Sequence, residues 1–274
     1  MAHRPPYHFV VRFAEGVLGR AWLNDLPLHK VPTRGEESMT GGANHFLVPG
    51  TNRLALEILT LPKAAPAQAP AEGKPAAGAP VMAKIYTIVD ASSDPMQAHE
   101  IASVDLPIAA AGTSPAERPS LPLYHEVEFE LPHPVSEPVY WRSPPADFSC
   151  AGTPELVAAV KEIHDALVRR DARRFLELMA LRHESYSAAF PGEPAASVER
   201  QRGALERFFA MDYVVKPLDL TKVHFEPRVG GRVCYVSGWD DQPVLEAATE
   251  EQPGPALRAN ILFTQHDGRW RVFG

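Results

Sequence analysis

The sequence predicts two domains in tandem, an all-β domain followed by an α+β domain. A chain of 274 residues exceeds the size at which one hydrophobic core usually stops growing. Most of the 28 prolines precede Cys150, whereas the long helical patterns all follow it. The turn-rich segment Ser143–Gly152 suits a connection between the two parts. We therefore expect a β domain over 1–145, a linker over 146–152 and an α+β domain over 153–274.

Alternation of apolar and polar residues predicts the strands of the first domain. Asn24-Asp25 tolerates the positive φ of a tight turn, so a hairpin is expected from about Val17 to Val31. Pro49-Gly50 indicates a second turn ahead of another strand. The predicted strands are Tyr7–Phe13, Gly19–Leu23, Leu54–Ile58, Val81–Val89, Ala98–Leu106, Tyr124–Leu131 and Val139–Trp141.

A low-complexity tract of alanine and proline interrupts the first domain at 62–80. It offers no residue that would anchor a core, so we expect a mobile loop between two strands. A partner that orders this loop is the alternative to a tolerated insertion.

Helices followed by strands are expected in the second domain, which is an α+β order. Thr153-Pro154-Glu155 supplies a cap hydroxyl, a proline at the first helical position and an acid in the first turn. The predicted helices are Glu155–Arg170, Ala172–Leu181 and Ala195–Met211. The predicted strands are Lys222–Pro227, Arg232–Trp239, Leu257–Thr264 and Arg269–Phe273, with hairpin turns at Gly230-Gly231 and Asp267-Gly268.

Two segments of the second domain carry a family resemblance over roughly 152–274. The opening helix runs into Asp171-Ala-Arg-Arg-Phe175, and the closing hairpin Arg258–Val272 reads as an apolar strand, Asp-Gly, and then basic-Trp-basic-Val. The domain thus resembles the nuclear transport factor 2-like superfamily, also called the SnoaL-like cone. The resemblance implies helices packed on a curved antiparallel sheet and a homodimer through the open face of that sheet. It does not imply one chemistry, because the superfamily includes isomerases, cyclases, dehydratases and members that only bind.

The first domain resembles a galactose-binding-like jelly-roll sandwich through two short segments. These are Trp22-Leu-Asn-Asp25, where Asp25 replaces the usual glycine, and Phe46–Leu54, which contains Leu-Val-Pro-Gly-Thr-Asn. The matching residues form turns and strands, so no sugar site is carried over. Carbohydrate recognition by exposed Trp22, Tyr140 or Trp141 is one hypothesis, and packing of these aromatics in a core is the simpler one.

Strand alternation nominates the candidate binding residues of the second domain. Tyr235, Ser237 and Trp239 share one face of their strand, and we expect them to line the hollow of the cone. The alternative is that the two aromatics fill the core. His164 lies one position off the apolar stripe of the first helix, where it would reach the mouth of the cone as a base. The alternative for His164 is a solvated helix edge.

Standard catalytic and metal motifs are missing from the sequence, so we predict no catalytic residue, no metal and no cofactor. His183-Glu184 begins like a zinc-protease helix, but Ser187 stands where the second histidine belongs. A net charge of −7 without a basic stripe argues against nucleic acid. No apolar run reaches the ~18 residues of a membrane helix, and Met1–Pro6 lacks the apolar core of a signal peptide. We expect a cytoplasmic protein with Cys150 and Cys234 reduced.

The function that requires the fewest additional features is non-enzymatic binding of another protein. Bacterial toxin-immunity and secretion-associated accessory proteins are examples of this kind. The alternative is a small-molecule enzyme or sensor of the isomerase, cyclase or hydratase type that uses the hollow of the cone. Such chemistry needs an ionisable group in an apolar cavity, and the predicted inward faces supply Tyr235 but no carboxylate or histidine.

Overall fold

The protein is β-rich and divides into two compact units, residues 1–135 and 136–274. The computed structural model describes residues 6–14, 16–28, 37–60, 81–87, 98–106, 120–149, 151–190, 196–239, 242–249 and 255–274. Within these ranges the chain forms four antiparallel sheets and four α-helices. The tract at 62–80 and Cys150 lie outside the described residues.

The first unit contains two four-stranded sheets, in the orders β4-β1-β6-β7 and β3-β2-β5-β8. The first of these sheets has a buried face, because buried residues alternate with partly exposed ones along two of its strands, Tyr7–Phe13 and Val81–Thr87. The strands are β1 Tyr7–Phe13, β2 Leu18–Leu23, β3 Leu26–Pro27, β4 Glu37–Gly42, β5 Thr51–Thr60, β6 Val81–Thr87, β7 His99–Leu106 and β8 Leu123–Glu130. The six predicted strands up to residue 131 are confirmed, and β4 was not predicted.

The predicted hairpin turn at Asn24-Asp25 is confirmed. Both residues have positive φ, 52° and 67°, and they join β2 to β3. Asparagine and aspartate tolerate this conformation better than most residues, so the pair accounts for the turn although no glycine is present.

The second unit has helices α1 Pro154–Val168, α2 Ala172–Leu178, α3 Ala180–Ala189 and α4 Ala196–Ala210. Thr153 caps α1 as predicted, since its side chain accepts a hydrogen bond from the Leu156 amide at 3.3 Å. Its strands are β9 Tyr213–Val215, β10 Val223–Arg228, β11 Val233–Gly238, β12 Leu245–Thr249, β13 Pro255–Ala259, β14 Ile261–His266 and β15 Arg269–Val272. They form the sheets β10-β11-β14-β15 and β13-β12-β9.

Two predicted elements of this unit differ from the structure. Val139–Trp141, predicted as a strand, belongs to a 3₁₀ helix over Val139–Arg142. Prolines flank it at 138, 144 and 145 and disfavour a paired strand there. The single strand predicted over Leu257–Thr264 is two strands, β13 and β14, which pair with different neighbours on either side of Asn260. α3, β9 and β12 were not predicted.

Residues 136–149, here called the strap, belong to the second unit and wrap around one end of its larger sheet. Tyr140 is fully buried, with its ring 5.2 Å from that of Phe273. The Ser143 hydroxyl donates a hydrogen bond of 2.7 Å to the carbonyl of Gln265. Phe148 meets Trp270 edge-on at 5.5 Å. The residues of the strap were predicted to form the end of the first domain and part of the linker. The contacts above instead hold them on the second unit.

Candidate functional site

The candidate residues on β11 lie on the sheet face that points away from the helices. Across the β11–β14 pair, Cys234 faces Phe263, whereas Tyr235 faces Leu262. Cys234, Phe263 and their neighbours of the same alternation join the apolar cluster that contains the buried residues of α1 and α2. Tyr235 and Ser237 have the opposite alternation. They therefore point away from the helices. Side chains that line the expected hollow of the cone would have to point toward the helices.

Tyr235 acts as a structural link between the two sheets of the second unit. It is 4% exposed, and its hydroxyl accepts a hydrogen bond of 2.6 Å from Nδ2 of Asn260, the residue between β13 and β14. Oδ1 of Asn260 accepts a hydrogen bond of 3.1 Å from the Val244 amide. These bonds satisfy a buried tyrosine and hold the chain where it passes from one sheet to the other.

Trp239 follows β11 and is accessible, with 59% of its surface exposed. Its ring lies 5.1 Å from the ring of His224 on the neighbouring strand β10. Ser237, directly opposite His224, is buried. Trp239 and His224 form a small aromatic surface at one end of the strand pair. Glu226, which lies on the same face of β10 as His224, forms an ion pair with Arg228.

His164 is separate from the three residues on β11. It lies on α1, which packs on the other face of the sheet, and its Nε2 is 3.0 Å from the backbone carbonyl oxygen of Lys216. This contact connects α1 to the segment after β9. The structure therefore does not bring His164 together with Tyr235, Ser237 and Trp239.

The space between the helices and the sheet of the second unit is packed with apolar side chains. The cluster includes the rings of Phe175, Phe209 and Phe225. Two ionisable groups belong to it, and both are held neutral: burial raises the pKa of the Cys234 thiol and of the Tyr213 phenol. The Tyr213 hydroxyl donates a hydrogen bond of 2.9 Å to the Leu167 carbonyl. Neither group is placed to act as a base at neutral pH.

A groove of about 630 Å³ lies between α2 and α4. Its apolar lining comes from Ala172 and Leu176. Its charged lining consists of two ion pairs, Arg173 with Glu177 at 3.2 Å and Arg202 with Glu206 at 3.4 Å. These charges neutralise each other along each helix, so the groove has no net charge to select a ligand.

The two segments that resemble a galactose-binding-like sandwich meet in one hydrogen-bond network. Asn24 Nδ2 donates to Asn52 Oδ1 at 2.8 Å and to the Phe46 carbonyl at 2.9 Å. Asn52 is 1% exposed and also binds both backbone groups of Val48, accepting from its amide at 2.9 Å and donating to its carbonyl at 3.0 Å. The network was missed in the sequence, although two asparagines beside turns are a signal for side-chain bonds to the backbone.

The aromatics considered for sugar binding are largely packed. Trp22 is 7% exposed and Tyr140 is fully buried. Trp141 is 39% exposed, and the Arg232 guanidinium lies 5.7 Å from its ring centre. Two of the three aromatics therefore have no face free for a sugar ring.

The described residues contain no group of three His, Cys, Asp or Glu side chains that could hold a metal ion. None of the described helices is both long and apolar enough to cross a membrane. No protein-family model, curated protein or solved structure matches the chain.

Proposed function

We propose that this protein works by binding another protein and does not catalyse a reaction. The observation that carries the proposal is the apolar cluster between the helices and the sheet of the second unit, where the described aromatic and aliphatic side chains pack against one another. A cone enzyme requires an ionisable group with a shifted pKa beside a bound substrate. The ionisable groups within this cluster are a protonated thiol and a protonated phenol, and neither provides a base.

The proposed role is that of a cytoplasmic accessory protein, of the toxin-immunity or secretion-associated kind. In this proposal the first unit is a jelly-roll sandwich and the second is a nuclear transport factor 2-like cone. Both serve as rigid supports for a surface that a partner recognises. No cofactor, metal or nucleic acid takes part.

A homodimer through the larger sheet of the second unit is part of the same proposal. The strap occupies the β14–β15 side of the sheet face opposite the helices, since Thr264 donates a hydrogen bond of 2.7 Å to Ser143. The remaining part of this face is the β10–β11 side, with His224, Glu226 and the exposed Trp239. A second copy would therefore pack against β10 and Trp239, because Tyr235 and Ser237 on β11 are already buried.

A pull-down from the native lysate tests the proposal, with tagged full-length protein as bait and mass spectrometry of what is retained. The control baits are the bare tag and the same protein unfolded by heat. One abundant protein, retained in a fixed ratio by the folded bait alone, supports protein binding.

Native mass spectrometry of the purified chain provides the opposing test. A small molecule bound in a fixed ratio, together with no retained protein, contradicts the proposal. That result would favour the ligand-binding alternative, with Tyr235, Ser237 and Trp239 as the first residues to substitute.

A further inference from the structure

Strand β8 lies at the edge of its sheet in the first unit. It pairs with β5 in a regular antiparallel register over all eight of its residues, from Leu123 opposite Ile58 to Glu130 opposite Thr51. Within the described ranges no strand pairs with its other side, and its backbone makes no hydrogen bond there to another backbone group. In a regular antiparallel pair, every second residue directs its N–H and C=O away from the neighbouring strand. The outer side of β8 therefore presents a row of backbone donors and acceptors.

Strand β7 of the other sheet does not run along this outer side. Adjacent strands of a sheet are about 4.8 Å apart, so a strand alongside the outer edge of β8 would be about 10 Å from β5. β7 approaches β5 as closely as it approaches parts of β8, so it lies over a face of the sheet and leaves the edge open.

The buried face of the sheet is incompletely covered at β8. On β5, Leu54 and Leu56 are fully buried. The residues opposite them on β8 are Val127, which is partly exposed, and His125, which is exposed. The apolar layer therefore reaches solvent at this edge, where a side chain of an added strand would cover it.

The opposite face of β8 carries three exposed acids at alternate positions, Glu126, Glu128 and Glu130. Arg53 on β5 lies opposite Glu128, 3.5 Å from its carboxylate and 3.7 Å from that of Glu126. Both contacts are exposed and long, so they stabilise the fold little. Thr51, opposite Glu130, brings no charge. Three carboxylates beside one guanidinium leave an excess of negative charge along β8.

The other edge strands of the described sheets have features that discourage an added strand. β3, β9 and β15 are only two, three and four residues long. β10 and β13 contain Pro227 and Pro255, each of which lacks a backbone donor. β7 has an irregular register with β6, and β4 ends in Gly41-Gly42. β8 is long and regular and contains neither proline nor glycine, so its only protection is charge.

We propose that the outer edge of β8 binds a basic, extended segment of the partner protein, which adds to the sheet as a fifth strand. This inference rests on the proposed function. Backbone hydrogen bonds bind the segment, and basic side chains at every second position lie beside Glu126, Glu128 and Glu130. A second copy of the chain is disfavoured at this edge, because two β8 strands would place acids beside acids. The net charge of −7 also attracts a basic partner.

Fluorescence polarisation tests the inference on the full-length chain, with a fluorescein-labelled ten-residue peptide in which arginine and valine alternate. We expect saturable binding at 50 mM NaCl that weakens at 300 mM, because surface charges are screened. A control peptide with five arginines followed by five valines has the same charge but cannot place its basic residues on one face of a strand. It should bind at least about fivefold more weakly.

The double variant E126K/E128K should weaken binding of the alternating peptide at least about tenfold, because like charges then face each other across the new strand pair. The control is E184K/E199K, which changes the net charge equally at two exposed acids on α3 and α4. Because Glu126 and Glu128 are exposed, E126K/E128K should keep the wild-type circular dichroism spectrum. Equal weakening by both double variants overturns the inference.

Hydrogen exchange on the wild type distinguishes an added strand from a loose charge contact and needs no variant. With the alternating peptide at ten times its Kd, exchange of the outward amides of β8 should slow about tenfold, while exchange in β4 stays unchanged. Absence of binding, equal binding of the control peptide, or unchanged exchange in β8 overturns the inference. Dissociation of a homodimer by E126K/E128K in analytical ultracentrifugation would assign the edge to a second copy and overturn the choice of partner.

The pull-down distinguishes failure of this inference from failure of the proposed function. If wild type and E126K/E128K retain the same partner equally, the edge of β8 is not the binding surface, and protein binding stands. If neither retains a partner, the proposed function fails. Loss of the partner by E126K/E128K, but not by E184K/E199K, supports both.

Discussion

Replacement of Asn52 by alanine should destabilise the first unit severely. The carboxamide of Asn52 makes four hydrogen bonds: to Val48 N, Val48 O, Gly50 O and the side chain of Asn24. Gly50 is exposed, so water replaces the bond to its carbonyl, and Asn24 keeps its bond to the Phe46 carbonyl. Val48 is 3% exposed, and alanine leaves both of its backbone groups without partners.

Two buried unsatisfied groups at about 1–3 kcal/mol each give an expected loss of about 2–6 kcal/mol. Hydrogen exchange with mass spectrometry reads the two units separately: protection of β5 should fall at least about 30-fold in Asn52→Ala, while that of α1 stays unchanged. Thr51→Ala, at the exposed neighbour on the same strand, is the control and should stay near wild type. A loss below about fivefold in β5 would refute the reasoning, because it would mean that the network carries no net stability.

Three further results are expected. Cys234 should resist iodoacetamide at pH 8 until the protein is unfolded, since burial raises its pKa and the thiolate is the reactive form; rapid labelling of the folded protein would contradict this. The fragment 136–274 should unfold in one cooperative thermal transition, whereas the fragment 152–274 should aggregate because it lacks the strap. If both fragments unfold in the same way, the strap is not needed by the second unit and the boundary between the units lies elsewhere. The Asp219 carboxylate should titrate near pH 2 by NMR, because the Thr221 hydroxyl and then Lys222 lower its pKa to about 2. The contribution of the Asp219 carboxylate to stability is present above its ordinary pKa of 3.8 and is lost as the pH falls through 2. The variant Thr221→Ala should raise the midpoint of the Asp219 titration. An unchanged midpoint would reject the Thr221 hydroxyl as the main cause of the low pKa.

The candidate site illustrates where strand alternation is informative and where it is ambiguous. The pattern correctly grouped Tyr235 with Ser237, because alternate residues share a face of a strand. It did not indicate which face meets the helices, because every residue from Val233 to Ser237 is buried. A strand buried on both faces has no polar side to orient it, so the choice depended on packing against α1 and α2.

His164 shows a second kind of ambiguity. Its place on the helix, one position off the apolar stripe, follows from the sequence alone. Its partner is a backbone carbonyl 52 residues further along the chain, and no local pattern records such a contact. The network of Asn24 and Asn52 was missed for the same reason, since it joins turns 28 residues apart.

The sequence by itself determined the features whose causes are local. The cap at Thr153, the turn at Asn24-Asp25, and the period of each long helix and strand depend on residues within a few positions of one another. The tertiary structure alone decided which face of β11 meets the helices, that the strap belongs to the second unit, and which arginines have acidic partners. Each of these depends on side chains that are distant in sequence, and only folding brings such side chains together.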